Sequence, residues 1–240
     1  MHGNEARSAR PLIHPSLICL DLCNIEHDVK VLGDIGYSAL HIDIVDGRFS
    51  PSMPLGLEML RQLRKKTSLP FDAHVMAIEP DFFIDELLDI GVDQLCMHIE
   101  TTHHIDQYIN KIQARGVRAG VALNPATSLS VLEYVIGKCD FVLLMLINPG
   151  YAHIAKETQV PYARTKIEDL RKLLDSSGRS IPIEIDGRIS LENITSYFQA
   201  GADIFVGGST CLRKDDDLCS GKAEIDKIIA AAVRRNEELP

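Results

Sequence analysis

Ile90-Gly91-Val92-Asp93-Gln94-Leu95 places a glycine between a segment with helical spacing of apolar residues and a short segment typical of a strand. The same arrangement recurs around Gly36, Gly116 and Gly201. Glycine is favoured just after a helix because it tolerates the left-handed backbone conformation. Four such copies predict repeated units in which each helix is followed at once by the next strand.

Eight short apolar segments alternate with amphipathic segments along the chain. Residues 58–66, 82–90 and 161–174 carry apolar residues at spacings of three and four, which predicts helices with one buried face. Regular alternation favours a closed (β/α)8 TIM barrel. An open doubly wound sheet is the alternative, but no GxGxxG segment follows the first strand. The predicted strands are residues 12–20, 39–45, 71–76, 94–99, 118–123, 141–147, 181–186 and 204–207.

The length and composition fit this architecture. The chain has 240 residues and is 45% hydrophobic, and a single barrel of this kind typically needs about 250 residues. No stretch rich in proline, glycine or serine divides it, so residues 1–240 are expected to form one barrel domain. Residues 1–10 and 234–240 are expected to be flexible ends.

The charge excludes some partners. A net charge of -9 argues against a general nucleic-acid surface, which needs a basic stripe, but permits a phosphorylated metabolite. No apolar run reaches the roughly 20 residues of a membrane span, and MHGNEARSAR lacks the apolar core of a signal peptide. We therefore expect a cytoplasmic protein that does not bind membranes. The six cysteines form no CxxC pair, which predicts reduced thiols.

Polar side chains lie at the ends of three predicted strands. Strand two carries His41 and Asp43, which point to the same face because side chains alternate along a strand. Strand three carries His74, and strand seven ends in Asp186. The carboxyl ends of barrel strands converge on one mouth. Two imidazoles and two carboxylates there suit a divalent transition metal.

A structural polar cluster is the alternative interpretation of these four residues. An inward histidine is commonly a hydrogen-bonded core residue, and an isolated His-x-Asp segment is a weak signal. Burying two carboxylates, however, costs several kcal/mol unless cations or hydrogen bonds compensate. We therefore favour the metal site.

Seven short motifs carry a resemblance to a known family. They are Pro15-Ser16-Leu17, His41-Ile42-Asp43 with Asp46-Gly47, His74-Val75-Met76, Leu123-Asn124-Pro125-Ala126-Thr127, Met145 with Asn148-Pro149-Gly150, Asp186-Gly187, and Gly208-Ser209. In order and spacing they resemble the ribulose-phosphate 3-epimerase family, from about Ile13 to Leu212. No single motif decides the match, but seven in register do.

The resemblance implies an isomerase that converts D-ribulose 5-phosphate to D-xylulose 5-phosphate in the pentose phosphate pathway. It implies one divalent metal ion per chain, zinc in the first place and iron, manganese or cobalt otherwise, with no organic cofactor. A homo-oligomer is implied by resemblance only. The implied metal ligands are His41, Asp43, His74 and Asp186.

The resemblance also implies how the substrate is held and converted. Asp43 and Asp186 would be the acid/base pair, acting through a metal-stabilised enediolate. The implied substrate contacts are Ser16 on the sugar, Met76 and Met145 beside the reacting carbon, and the loops after strands six, seven and eight on the phosphate, with Gly150, Gly187, Arg188, Gly208 and Ser209.

The sequence departs from the family pattern mainly where the phosphate is held. Gly150-Tyr151-Ala152-His153-Ile154 replaces Gly-Phe-Gly-Gly-Gln, and Arg188 replaces the second glycine of Asp-Gly-Gly. Val45 replaces a methionine and Ser52 an asparagine. Either the phosphate is still held, with Arg188 taking part, or the substrate has changed. D-Allulose-6-phosphate 3-epimerase, a relative with a similar first strand, also has a non-glycine residue in that turn.

Two rivals belong to other classes. Barrels related to orotidylate decarboxylase use Asp-x-Lys-x-x-Asp on one strand, but the corresponding segment 41–46 contains no lysine. A non-catalytic sugar-phosphate-binding barrel is expected to lose a proton-transfer carboxylate, and both Asp43 and Asp186 are present.

Overall fold

Eight parallel strands form the centre of the molecule in a computed structural model that describes residues 10–151, 154 and 156–237. They are hydrogen-bonded in the order β1-β8-β7-β6-β5-β4-β3-β2, and a bridge between Ser16 and His41 joins the two ends of the sheet. This is the predicted TIM barrel. The strands are β1 (Leu12–Pro15), β2 (Leu40–Val45), β3 (Phe71–Met76), β4 (Gln94–His98), β5 (Arg118–Leu123), β6 (Phe141–Met145), β7 (Ile183–Asp186) and β8 (Ile204–Gly207).

Helices alternate with these strands. A short 3-10 helix, Leu129–Leu132, takes the place of an α-helix between β5 and β6. The α-helices are α1 (Ile25–Asp34), α2 (Leu57–Arg64), α3 (Asp81–Ile90), α4 (Ile105–Ala114), α5 (Ala163–Ser176), α6 (Leu191–Ala200) and α7 (Leu218–Glu237). Residues 234–237 are therefore the last turn of α7, whereas residues 1–9 and 238–240 of the expected flexible ends lie outside the described residues.

The four glycines that predicted the repeated units lie where the sequence placed them. Each follows a helix and has a positive φ: 88° at Gly36, 90° at Gly91, 76° at Gly116 and 117° at Gly201. A side chain at these positions would be strained, because L-residues avoid this region. Each glycine therefore ends one helix and turns the chain back towards the next strand.

The first strand is shorter than predicted. The apolar segment 12–20 suggested one continuous strand, but β1 ends at Pro15 and Leu17–Cys19 forms a short 3-10 helix. Its turn is closed by the N–H of Cys19, which donates to the carbonyl of Ser16 at 3.1 Å. Leu17 is fully buried in this conformation. An apolar run therefore predicted burial correctly here but not the backbone conformation.

The interior of the barrel is filled by side chains of unequal size. Phe141 and Met145 of β6 pack there with Cys96 of β4 and Ala122 of β5. A Cβ atom on Gly120 would lie 2.4 Å from the ring of Phe141, so β5 must lack a side chain at that point. This packing supports Met145 at the upper end of β6, next to Asp186 in the β6–β7 ladder.

All six cysteines are free thiols, as predicted. Among the described residues, no helix combines the length and the apolar character needed to cross a lipid bilayer.

Candidate metal centre and active site

The four predicted metal ligands come from three strands and converge inside the barrel. Asp43 of β2 lies opposite His74 of β3 in the parallel ladder, and His41 lies two residues earlier on the same face of β2. Asp186 is the last residue of β7. One ligand atom from each of the four residues lies within 4.8 Å of the others. The barrel thus brings together side chains that are up to 145 residues apart in sequence.

The two imidazoles face one carboxylate oxygen. Nε2 of His41 and Nδ1 of His74 each lie 3.3 Å from Oδ1 of Asp43. Both histidines are fully buried, and Nε2 of His41 has no hydrogen bond of acceptable geometry to any described residue. A buried nitrogen left in this way is costly unless a further group completes its coordination. The donor set and its spacing therefore fit a divalent metal ion.

The two candidate acid/base groups have different affinities for protons in the metal-free chain. Burial raises the pKa of Asp186 to about 7, and the negative charge of Asp43 adds to the rise. Burial also tends to raise the pKa of Asp43, but the nearby imidazoles, first that of His41 and then that of His74, hold it well below its usual range. Two neighbouring carboxyl groups with pKa values pushed apart are typical of acid/base sites.

A second polar layer lies directly below the four residues and was missed by the sequence analysis. Asp72 accepts a hydrogen bond from Nδ1 of His14 at 2.8 Å and from Nδ1 of His41 at 3.1 Å. Glu184 lies 3.4 Å from the same nitrogen of His41. Burial, followed by the charge of Asp72, raises the pKa of Glu184 well above its usual range. Asp72 thus orients His41 so that its Nε2 faces the candidate metal centre.

A sequence signal for this layer existed. Asp72 and Glu184 each lie two residues before a predicted site residue, His74 and Asp186 respectively. Strand alternation places residues two apart on the same face, so both acids had to point into the barrel.

A cavity of about 280 Å³ opens above the centre. All eight predicted substrate-binding residues line it, together with both aspartates. His41 and His74 lie beneath its floor, because neither has exposed surface. The predicted residues in the lining are Ser16, Asp43, Met76, Met145, Gly150, Asp186, Gly187, Arg188, Gly208 and Ser209; those that the sequence analysis did not assign to the substrate are Ile18, Cys19, Val45, Ser52, Pro54, Ile147, Val206 and Thr210.

Comparison with known proteins agrees with this geometry. Residues 12–212 match the model of the Ribulose-phosphate 3 epimerase family. The chain belongs to this family. A ribulose-phosphate 3-epimerase of Buchnera aphidicola from Schizaphis graminum is 36% identical over 81% of this chain and 84% of its own. The enzyme of Aquifex aeolicus is 36% identical over 82% of this chain and 88% of its own. That of Escherichia coli K12 is 32% identical over 85% of this chain and 90% of its own.

Solved structures support the fold independently. A mutant tryptophan synthase alpha-subunit from Pyrococcus furiosus superposes with a TM-score of 0.65 over 94% of this chain and 99% of that one. The sequence identity is 14%, so this likeness concerns the barrel alone.

The turn after β7 shows how the departure at position 188 is accommodated. Arg188 has a φ of 50°, so it keeps the left-handed conformation that a family glycine would adopt easily. The side-chain amide of Gln159 donates to the carbonyls of Gly187 at 2.7 Å and Arg188 at 3.1 Å. The guanidinium of Arg188 donates to the carbonyl of Ile154 at 2.7 Å. These bonds join the turn to the loop after β6, in which Ala152 and His153 lie outside the described residues.

Glycine is still needed at the first position of that turn. Gly187 has a φ of 118°, and a Cβ atom on it would lie 2.9 Å from the backbone nitrogen of Ile147. The backbone of the turn after β7 therefore approaches that of the segment after β6 closely, and Gly187 and Ile147 both line the cavity at this point.

Proposed function

We propose that the protein catalyses the 3-epimerisation of a ketose phosphate, with D-ribulose 5-phosphate as the substrate and D-xylulose 5-phosphate as the product. The cluster of His41, Asp43, His74 and Asp186, whose two aspartates line one cavity, carries this function. Family membership supports it, because the matched relatives are ribulose-phosphate 3-epimerases. The same four residues would hold the divalent ion.

The chemistry requires removal of the proton at C3, next to the carbonyl, and return of a proton to the opposite face. Asp43 and Asp186 are the two groups that perform these steps, and they exchange roles with the direction of reaction. They belong to β2 and β7, between which β1 and β8 lie in the closed barrel, so they approach the cavity from different sides. A bound divalent ion supplies Lewis-acid stabilisation of the negative charge that develops on the carbonyl oxygen.

The cavity wall suits an anionic intermediate. The hydroxyl of Ser16 donates to Oδ2 of Asp43 at 2.9 Å, which keeps that carboxylate oriented towards the cavity. The buried thioethers of Met76 and Met145 form an apolar, polarizable wall that excludes water from the reacting carbon. Arg188, Gly208 and Ser209 also line the cavity and are proposed to hold the phosphate.

Solvent isotope exchange tests this function. An epimerase should exchange the C3 hydrogen of its substrate with deuterated water, whereas a non-catalytic binding barrel should not. We expect exchange and net conversion with D-ribulose 5-phosphate. Run in parallel, D-allulose 6-phosphate tests the alternative that the altered turn has changed the substrate; a higher kcat/KM for this hexose phosphate would replace the pentose assignment.

Substituting Arg188 with alanine should raise the KM for the phosphorylated ketose by about 10-fold or more. A charge-assisted hydrogen bond contributes about 1.5–3 kcal/mol, and each 1.4 kcal/mol corresponds to about a factor of ten. Arg188 lines the cavity, and its planar guanidinium can donate two hydrogen bonds to a phosphate. Steady-state kinetics with the phosphorylated and the unphosphorylated ketose measure the effect.

Two controls separate phosphate binding from loop support. Because Arg188 also donates to Ile154, a general loosening of the loop would affect both ketoses equally. Turnover of the unphosphorylated ketose should stay nearly unchanged. Arg48→Ala is the matched control, because Arg48 pairs with Glu79 on the exposed surface and does not line the cavity. Equal effects on both substrates, or none on either, would show that Arg188 does not bind the phosphate.

Three finer properties remain predictions from the sequence. The bound ion is expected to be zinc, which suits two imidazoles and two carboxylates. The chain is expected to form a homo-oligomer and to work in the cytoplasm.

A further inference from the structure

A chain of hydrogen bonds extends from His74 away from the candidate metal centre, buried at the two histidines and partly exposed at Glu100. Nε2 of His74 lies 3.0 Å from Nε2 of His98, the last residue of β4. Nδ1 of His98 lies 3.0 Å from Oε2 of Glu100. Both imidazoles are fully buried, and the ring of Phe49 packs against His98 with the centroids 4.7 Å apart. Neither His98 nor Glu100 lines the cavity, so their effect on the site must pass through His74.

Glu100 forms the far end of this series of hydrogen bonds, and its carboxylate only accepts them. Hydrogen bonds from His98 and the hydroxyl of Thr127 hold the pKa of Glu100 at about 2, although burial opposes this. Its Oε1 accepts the N–H of Asn124 at 2.8 Å and the Thr127 hydroxyl. The Lys166 ammonium holds the same loop from the other side by donating to the carbonyls of Asn124, Pro125 and Thr127 at 2.8–2.9 Å. The carboxylate is therefore fixed in place as well as in charge.

The direction of every hydrogen bond in this series follows from the carboxylate of Glu100 at its far end. An ionised carboxylate cannot donate, so Nδ1 of His98 must carry its hydrogen. In the neutral imidazole, Nε2 of His98 then accepts, and the hydrogen between the two rings belongs to Nε2 of His74. Nδ1 of His74 is left with a free lone pair, and this is the nitrogen that faces Asp43 and the candidate metal centre.

We infer that His98 and Glu100 are positioning residues that fix His74 in the tautomer able to bind a metal ion through Nδ1, an inference that rests on the proposed metal-dependent function. Metal-binding histidines commonly donate their second N–H to a carboxylate or carbonyl that fixes the ring and its tautomer. His41 has such a partner directly, in Asp72. For His74 the equivalent carboxylate is that of Glu100, and the imidazole of His98 lies between them.

Glu100→Gln tests this with almost no change in shape. The carbonyl of the new side-chain amide must face the N–H of Asn124, because an amide NH2 there would meet another donor. The NH2 group then faces His98 and donates to its Nδ1, which reverses every bond in the chain. The hydrogen of His74 then lies on Nδ1. This nitrogen can bind a metal ion only after it has released that hydrogen. We expect the affinity for Zn²⁺ or Co²⁺, titrated against a chelating dye, to fall by about 10-fold to 100-fold.

Thr127→Val is the matched control. It removes a hydrogen bond to the other oxygen of Glu100 and leaves the contact with His98 in place, so the metal affinity should not change. A fall as large as that of Glu100→Gln would show that the loop after β5 matters and the tautomer does not. Circular dichroism and thermal unfolding of both variants confirm that folded proteins are compared.

The tautomer can also be observed without a substitution. In the ¹⁵N-histidine NMR spectrum of the zinc-loaded protein, His74 should have its hydrogen on Nε2 and a metal-bound Nδ1. The opposite tautomer, or unchanged metal affinity in Glu100→Gln, overturns the inference. If the wild-type protein binds an ion and epimerises its substrate in those experiments, only the role of His98 and Glu100 fails. If the wild-type protein binds no ion, the proposed metal-dependent function itself fails.

Discussion

Replacing Asp186 with asparagine should lower kcat/KM for ketose-phosphate epimerisation by about 100-fold to 10,000-fold, the range typical of lost general acid–base catalysis. Asp186 ends β7 and lines the cavity together with Asp43. Asparagine has nearly the same shape but cannot take up or release the proton. Because Asp186 also belongs to the candidate metal centre, the metal content must be measured on the same sample as the activity.

Isotope exchange separates lost proton transfer from a general loss of the site. In Asp186→Asn the carboxyl group of Asp43 remains, so one of the two C3 epimers should still exchange its C3 hydrogen with deuterated water while conversion between epimers falls. Asp43→Asn is the matched variant, and exchange should then persist in the other epimer. Normal turnover of Asp186→Asn with metal bound contradicts the two-carboxylate mechanism.

The order of the strands was predictable because its signals are local. A glycine such as Gly91 is read from the chain itself, and its φ of 90° follows from the helix end that it terminates. The same is true of β3, where the predicted bounds match those of the structure. The end of β1 was not predictable in this way. Ser16 there forms the bridge to His41 and donates to Asp43, and both partners belong to a distant part of the sequence.

Only the site residues that strand alternation or the family motifs indicate could be predicted from the sequence. His41, Asp43, His74 and Asp186 form the expected cluster, although only Asp186 is the last residue of its strand. His98 also ends a strand, but its role depends on the distance of 3.0 Å that joins its imidazole to that of His74. A single sequence contains no information about which rotamers bring two such rings together. Supporting residues of this kind can therefore be recognised only in a three-dimensional structure.

Removing the metal ion should lower the rate of epimerisation by about 100-fold or more. A Lewis acid contributes several kcal/mol to stabilising the charge that develops on the carbonyl oxygen, and each 1.4 kcal/mol is about tenfold in rate. Asp43 and Asp186 also lie close together in the cluster. Among the described residues, Arg188 on the turn after β7 is the only lysine or arginine that lines the cavity, so few side-chain cations there could replace the charge of the ion. Dialysis against a chelator, followed by an assay before and after adding Zn²⁺, Mn²⁺, Co²⁺ or Fe²⁺, measures the loss and its recovery.

Two buried histidines provide a matched pair for this experiment. Both His41 and His14 donate to Oδ2 of Asp72, at 3.1 Å and 2.8 Å, but only His41 has its other nitrogen in the candidate metal centre. His41→Ala should lose the ion and the activity together, whereas His14→Ala should retain the ion. Each substitution removes a large buried side chain, so thermal unfolding of the two variants shows whether their stabilities are comparable. Full activity in protein shown to be free of metal would contradict the metal-dependent mechanism, and loss of the ion from both variants would show that the buried layer, not the donor atom of His41, controls binding.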